Sequence, residues 1–435
     1  MKRVKIDGIK KSVGEQVKIA GFVQAIRDQG KIQFLMIRDI SGIIQVVVAE
    51  QNLLEKASEL KLESVAEVIG IAKEEKQAPG GFEIEAKTIE ILSTPVEELP
   101  IPVVEKSQEE TNIQQRLDWR WLDLRKPEKT LIFKVWTEME HAFREYWTGE
   151  GYIEIHSPKF MSTPSESGAE LFEVKYFDRK AYLAQSPQFY KQMAMASGFE
   201  KVFEVGPVFR ANSSFTSRHD TEFTGYDAEI SYVESHEDVM AEESRVIQFA
   251  LKKIKEKFGD EIQGNYNREV VVPELPFPQI TMKEAKEILS KLNVKNERDG
   301  DLSPDEEVKI CEYMKEKTGH EFLFVTEYPI AVRPFYHMRK EDDKTLTKSF
   351  DLLWNGMEIT TGAQREHRYE ILVEQAKEKG LSPESIKFYL NFFKFSCPPH
   401  GGFGLGPTRM LMKLFDIGNV REVTYLYRGV KRLEP

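Results

Sequence analysis

The sequence is poor in thiols and in long apolar runs. Its only two cysteines, Cys311 and Cys397, lie far apart in a chain of 435 residues. That excludes a disulfide framework and a cysteine-based zinc site, and a reducing cytosol is the expected location. Nowhere do eighteen apolar residues run together, and the charged start Met1-Lys-Arg-Val-Lys carries no apolar h-region, so neither a membrane span nor export is expected. Also lacking are a Walker-type lysine loop, a serine nucleophile elbow and a cysteine/histidine cluster of metal-ligand spacing.

What is present is enough apolar material, 40% of residues, for two or more domains. The formal net charge of −11 opposes nucleic-acid binding only if it is spread evenly, and it is not: residues 1–34 hold eight Lys/Arg against three acids. Such a basic start also suits an ordinary solvated surface.

Residues 17–23, 32–38, 43–48, 64–72 and 81–92 read as five short strands rich in β-branched residues, with one helical segment near 53–60. Five strands in so short a stretch predict a small barrel of the oligonucleotide-binding type, on which Phe34 and Gln45 are candidates for stacking on and reading unpaired bases. A plain core role for Phe34 is the alternative. The segment Ser93-Thr-Pro-Val-Glu-Glu-Leu-Pro-Ile-Pro102 is stiff and extended, which divides the chain into a barrel (1–98), a hinge (99–128) and a larger mixed α/β domain (129–435). Helical periodicity over 129–147 opens that domain, Gly151–Pro158 reads as a strand, and Ser382-Pro383 as the cap of a helix running to Phe395. Residues 201–210 and 222–233 predict a hairpin whose loop carries Arg210, Arg218 and His219, donors suited to phosphate oxygens.

The stretch Asp351-Leu-Leu-Trp-Asn-Gly-Met-Glu358-Ile-Thr-Thr361-Gly-Ala-Gln-Arg365 sets oxygen ligands for a hard cation beside an arginine. About forty residues later, Gly401-Gly-Phe-Gly-Leu-Gly-Pro-Thr-Arg409 predicts a glycine-rich turn that brings backbone close to a flat charged ligand. A dinucleotide fingerprint does not fit, because no βαβ context with a later ribose-binding acid accompanies it. An antiparallel nucleotide site is expected instead.

These residues resemble the class II aminoacyl-tRNA synthetases of the aspartyl/asparaginyl subgroup, and most of all the archaeal-type aspartyl enzymes. The resemblance covers nearly the whole chain. It includes the hinge Arg116-Leu-Asp-Trp-Arg-Trp-Leu-Asp-Leu-Arg125 and three ordered motifs: Gly151–Pro158, Phe209–Phe223 and Gly402–Arg409. It implies an α+β protein, with a five-stranded OB-type barrel joined to a catalytic domain built on an antiparallel sheet flanked by helices. ATP would be a substrate with Mg²⁺ beside it.

Carried over position by position, Arg210 would hold the α-phosphate and the amino-acid carboxylate, and Arg218 and His219 the outer phosphates. Phe223 and Arg409 would sandwich the adenine, while Asp351, Glu358 and Thr361 would bind the metal. Arg210 and Glu358 would carry the catalysis. For aspartate, Ser165 and Glu166 would sit on a closing loop, Gln188 and Thr361 would be contacts, and Asp227 would meet the α-amino group. Lys191 and Arg365 would face the side chain, where two cations favour a carboxylate over an amide. Family members usually carry Glu where this chain has Asn212 and Thr408, both at the adenosine end.

On the barrel, Phe34 would stack on the middle anticodon base, with Gln45 and Glu83 bonding to its neighbours. Pro79 resembles the relaxed kind that charges tRNA(Asn) as well as tRNA(Asp), whereas Gln24 matches neither kind. The resemblance further implies a homodimer through Gly151–Pro158 and, for a relaxed enzyme, an amidotransferase partner. The rival readings are an adenylate-forming paralogue with a non-tRNA acceptor, an asparaginyl enzyme, and a non-catalytic RNA-binding paralogue.

Overall fold

The structure is a computed structural model that describes residues 1–105, 110–163, 170–213 and 216–435. The chain forms two compact units, Met1–Pro127 and Glu128–Pro435.

In the first unit, β1 (Gln16–Asp28), β2 (Gln33–Asp39), β3 (Gly42–Val48), β4 (Val65–Glu74) and β5 (Phe82–Ser93) close a barrel in the order β1-β2-β3-β5-β4. Period-two alternation decides which side chains point inward. Leu35 and Ile37 of β2, Ile44, Val46 and Val48 of β3, and Ala66, Val68 and Ala72 of β4 are all buried in one apolar cluster. Each fully buried Val, Leu or Ile contributes roughly 1.5–3 kcal/mol. Gly70 is needed where two strands close on each other, since a Cβ there would lie 2.2 Å from the Glu85 carbonyl oxygen. The short helix expected near 53–60 runs over Gln51–Ala57.

The segment after the barrel belongs to the first unit. There Arg120 and Lys126 reach buried Asp123 at 2.7 and 3.3 Å, which accounts for the dense charge of the Arg116–Arg125 stretch. Arg38 grips Glu63 through two bonds of 3.1 and 2.8 Å, and Arg125 bonds Glu63 at 3.0 Å while lying over Phe22. Gln24 is tied to this group, because Arg38 donates to its Oε1 at 2.9 Å.

The second unit is built on an eight-stranded sheet. Its strands are β6 (Ile153–Glu154), β10 (Lys201–Phe209), β11 (Glu222–Ser231), β12 (Gln279–Thr281), β13 (Phe322–Thr326), β14 (Ser349–Trp354), β15 (Glu358–Arg365) and β16 (His400–Leu405). The order is β12-β13-β14-β15-β16-β11-β10-β6. The six inner strands pair antiparallel, and the two edge strands pair parallel to their neighbours. Strands β7 (Phe160–Met161), β8 (Glu173–Tyr176) and β9 (Arg179–Leu183) form a separate small sheet. Helix His236–Tyr266 packs on β15 and β16, buries Val239, Ile247 and Ala250 among others, and starts at a Ser235/Asp238 capping box.

Three local expectations are corrected. Gly151–Pro158 yields only the two-residue strand β6, because after one further ladder bond, from the Ile155 N–H to the Phe203 carbonyl, the Ser157 N–H meets the Glu204 carboxylate instead of a ladder partner. The glycine run Gly401–Leu405 is not a turn but the central strand β16. A Cβ on Gly402 would lie 2.1 Å from the Ala228 carbonyl oxygen and the Glu229 carboxylate, so these glycines admit a crowded strand pairing. The helix after Ser382 begins only at Lys387; the Ser385 N–H and hydroxyl both bond the Ser382 carbonyl and hold the preceding residues in a turn.

Candidate active site

Strands β11, β15 and β16 and helix Gln188–Ala196 wall a cavity of about 330 Å³. Six cations line it (Lys191, Arg210, Arg218, Arg333, Arg365 and Arg409) against four acids, Glu170, Asp220, Asp227 and Glu358. A polyanionic ligand suits that balance.

At one end, Lys191 Nζ lies 2.9 Å from Asp227 Oδ1 and 3.2 Å from Glu229 Oε2. Arg365 donates through Nε to Glu229 Oε1 at 3.0 Å, through a terminal nitrogen to the Gly402 carbonyl at 2.9 Å, and contacts His337 Nε2 at 3.0 Å. Asp227 and Glu229 stand two apart on β11 and therefore share a face. Burial pushes the Glu229 carboxyl up, but Arg365 and Lys191 more than offset this and hold it below its usual range. His337 is held neutral far below its usual value, first by burial and then by Arg365, Arg333 and Lys191. Lys191 and Arg365, which the resemblance would set facing one side-chain pocket, thus both pair with the same intervening buried carboxylate.

At the other end, the hairpin of β10 and β11 closes with Phe209 opposite Glu222, and the Arg210 N–H bonds the Thr221 carbonyl at 2.9 Å. The Arg210 guanidinium lies 5.5 Å from the Phe223 ring centre and Nε faces the Gln185 carbonyl at 3.4 Å. Arg218 pairs with Glu307 at 2.7 Å; burial and then the Glu358 charge push Glu307 up to about 7. His219 is pushed down to about 4 by burial, then by Arg409, Arg210 and Arg218.

Between the ends stand the candidate cation ligands. Asp351 is the cross-strand partner of Thr361, whose hydroxyl donates to Glu358 Oε1 at 3.4 Å. Burial and the Asp351 charge raise the Glu358 carboxyl, although Arg409 and Arg333 oppose them. Two acids that repel each other beside a hydroxyl fit a hard cation. Asp351 also binds Arg333 at 2.7 Å, so it is already neutralised on one side, and Arg409 bonds the Glu358 carbonyl and carboxylate at 2.8 and 3.2 Å. Among the described residues, no three His, Cys, Asp or Glu side chains gather as a metal cluster.

Of the other expected positions, Gln188 lines the cavity and bonds Gln192 at 2.9 Å, and Asn212 and Thr408 line it too. Ser165 and Glu166 lie outside the described residues. On the barrel, Phe34 is half-buried on the outer face, opposite Arg27 and Val47 and outside the apolar cluster. Gln45 and Glu83 are paired in register and bonded at 3.0 Å, and Pro79 opens the turn between β4 and β5.

Sequence reasoning passes over Glu229, Arg333, His337, Glu307 and Asp220. A signal for Glu229 is present: two acids two residues apart inside a strand of the central sheet demand buried partners. Arg333 and His337 sit in a loop with no periodicity to mark them.

Residues 112–428 match the family of class II tRNA synthetases (D, K and N), and residues 17–92 match the OB-fold nucleic acid binding domain. The chain is 44% identical to a protein of Pyrococcus abyssi named Aspartate--tRNA(Asp) ligase, over 97% of each. It is 43% identical to one of Aeropyrum pernix named Aspartate--tRNA(Asp/Asn) ligase, over 97% of this chain and 96% of the other. Its fold superposes with a TM-score of 0.92 and 33% identity on asparaginyl-tRNA synthetase from Pyrococcus horikoshii complexed with asparaginyl-adenylate, each chain being fully covered.

Proposed function

The chain belongs to the class II tRNA synthetases of the D, K and N group, and from that premise we propose how it works as an aspartate–tRNA ligase. Aspartate enters with its side-chain carboxylate toward Lys191 and Arg365, its ammonium toward Asp227, and its α-carboxylate toward Arg210. Gln188, Thr361, Ser165 and Glu166 complete its surroundings. ATP takes the opposite end, with its adenine between Phe223 and Arg409 and its outer phosphates near Arg218 and His219.

The observation that carries this reading is the joint placement of Lys191 and Arg365 on one buried carboxylate at the cavity wall. With Glu229 and Asp227, the four charges sum to zero, so the pocket has room for the balanced charges of an incoming ammonium and carboxylate. An asparagine amide would leave one guanidinium or ammonium donor facing another donor.

In the reaction an oxygen of the α-carboxylate attacks the α-phosphorus in line. The bond to pyrophosphate breaks, and aspartyl-adenylate forms. A terminal ribose hydroxyl of tRNA then attacks the acyl carbon and AMP leaves. No side chain is acylated. Arg210 positions both reacting groups, and Glu358 with Asp351 and Thr361 would hold Mg²⁺, which when bound neutralises developing phosphate charge.

The barrel reads the anticodon with Phe34, Gln45, Glu83 and Pro79. Pro79 supports tRNA(Asn) as a second acceptor, in which case an amidotransferase completes the pathway to asparagine. The enzyme works as a cytoplasmic homodimer through the Gly151–Pro158 region. No helix among the described residues is long and apolar enough to cross a membrane.

Arg210→Ala is expected to abolish aspartate-dependent ATP–pyrophosphate exchange while the protein stays folded; substantial residual exchange contradicts the assignment. Charging of tRNA(Asp) and tRNA(Asn) transcripts separates the relaxed from the strict enzyme. Exchange without charging of either favours the non-tRNA acceptor.

A further inference from the structure

Three fully buried side chains linked to Gln188 take no part in the steps above: Gln192, Tyr389 and His400. Gln192 lies one turn after Gln188 on helix Gln188–Ala196, so the two amides share a face. Tyr389 comes from helix Lys387–Lys394, and His400 opens β16. They form a chain of hydrogen bonds whose direction is fixed from one end to the other.

The chain starts at a group that can only accept. His400 Nδ1 lies 2.8 Å from the Pro398 carbonyl oxygen, so this nitrogen carries the ring proton. Burial holds the imidazole down at about 4 despite the Glu229 charge and the Pro398 carbonyl, so the ring is neutral near pH 7 and Nε2 is an acceptor. The Gln192 amide nitrogen, 2.9 Å away, therefore donates to it. That turns Gln192 Oε1 to the other side, where it accepts from the Tyr389 hydroxyl at 3.0 Å and from Gln188 Nε2 at 2.9 Å. Gln188 lines the cavity, and with its nitrogen committed to Gln192 its carbonyl oxygen is left for a ligand; that oxygen accepts no bond among the described residues. A Gln192 turned over would set its own oxygen against the His400 lone pair, and Gln188 would have to turn with it and offer the cavity N–H groups instead.

We propose that Gln192 and His400 are positioning residues that hold the Gln188 carbonyl oxygen, rather than its nitrogen, toward the ammonium of aspartate. The proposal rests on the reading above that aspartate binds at this end with Gln188 among its contacts. Asp227 balances the ammonium charge but is itself bonded to Lys191 at 2.9 Å, and an ammonium has three protons to place. A neutral carbonyl oxygen supplies a second acceptor without adding charge to a pocket already balanced. An amide turned the other way would set donor against donor.

The test is pyrophosphate exchange by the full-length protein, reading KM for aspartate beside the inhibition constant of succinate, which is aspartate without its ammonium. Gln192→Met removes the amide and keeps the length of the side chain. It should raise KM for aspartate about tenfold, the weight of one hydrogen bond to a charged group, and leave the succinate constant and KM for ATP within about threefold. His400→Phe keeps a ring against Phe393 and frees Gln192 to turn, so it should move KM for aspartate the same way by a smaller factor. Gln188→Leu should raise that KM as Gln192→Met does, and adding Gln192→Met to it should bring no further rise, because the second residue acts only through the first. Equal weakening of aspartate and succinate in Gln192→Met marks a merely structural role and overturns the proposal, as does a further rise in the double variant or an unchanged KM in folded His400→Phe. An unchanged KM in Gln188→Leu overturns it even if no Gln192 or His400 variant folds. Failure of the wild type to exchange with aspartate at all would instead refute the parent reading of the site.

Discussion

Inside the barrel, the buried apolar side chains of the strands are Val, Ile, Leu and Ala, and buried charge is confined to the group around Arg38 and Glu63 and to Asp39 at the end of β2. Inside the catalytic unit the sheet carries Asp227, Glu229, Asp351 and Arg365 at its centre, each tied to an opposite charge from another element. The first arrangement needs only the right alternation of residues and tolerates volume-conserving change. The second is costly to build and fails sharply when one member is lost, because a buried charge remains without its partner. Stability resides in one pattern and chemistry in the other.

The largest expected effect breaks the ionic side of this comparison. Glu229→Gln leaves Lys191 and Arg365 facing each other across a neutral amide. It should destabilise the catalytic unit by about 3–5 kcal/mol in denaturant unfolding and remove aspartate-dependent exchange. Near-normal stability would mean that Asp227 alone balances both cations.

On the apolar side, Leu35→Ala should cost the barrel about 2–5 kcal/mol while exchange, which needs only the catalytic unit, is unchanged. A matching loss of exchange would show that the two units do not act separately.

A third prediction concerns pH. Glu243, buried beneath the sheet beside Thr360, is pushed up by burial to about 8. Its folded pKa lies above the ordinary value, so the folded protein holds this proton more tightly than the unfolded chain. The resulting stabilisation is complete below about 4.5 and is lost as pH rises toward 8. Glu243→Gln should therefore flatten the fall in melting temperature between pH 6 and 9, a difference on the order of 2–3 kcal/mol. An unchanged slope would place the alkaline loss elsewhere.

The smallest effect tests the outer face of the barrel. Phe34→Ala should weaken tRNA binding by about 1–3 kcal/mol, read as a rise in KM for charging with exchange unaltered. Equal charging by the two proteins would return Phe34 to a structural role.

The same contrast explains what could be read from the sequence. The barrel strands were legible within a few residues because period-two burial is written locally; β1 alone runs longer, to Asp28, past an irregularity at Val23–Ala25. Arg210, Glu358, Arg365 and Arg409 stand in sequence patterns of their own, Lys191 and Asp227 came only through the family resemblance, and all six line one cavity. Glu229 was not, since its partners Lys191 and Arg365 lie on other elements, and Arg365 is 136 residues away. The β16 glycines were misread as a turn because sequence shows a missing side chain but not the carbonyl of Ala228 that requires its absence.

The claim that Lys191 and Arg365 together select a carboxylate is tested most directly by one experiment. Pyrophosphate exchange is measured for aspartate and asparagine side by side, with wild type and with Lys191→Met. The account predicts that the wild type prefers aspartate by at least about a thousandfold in kcat/KM, and that Lys191→Met loses most of that preference. Equal activation of asparagine by the wild type would contradict it.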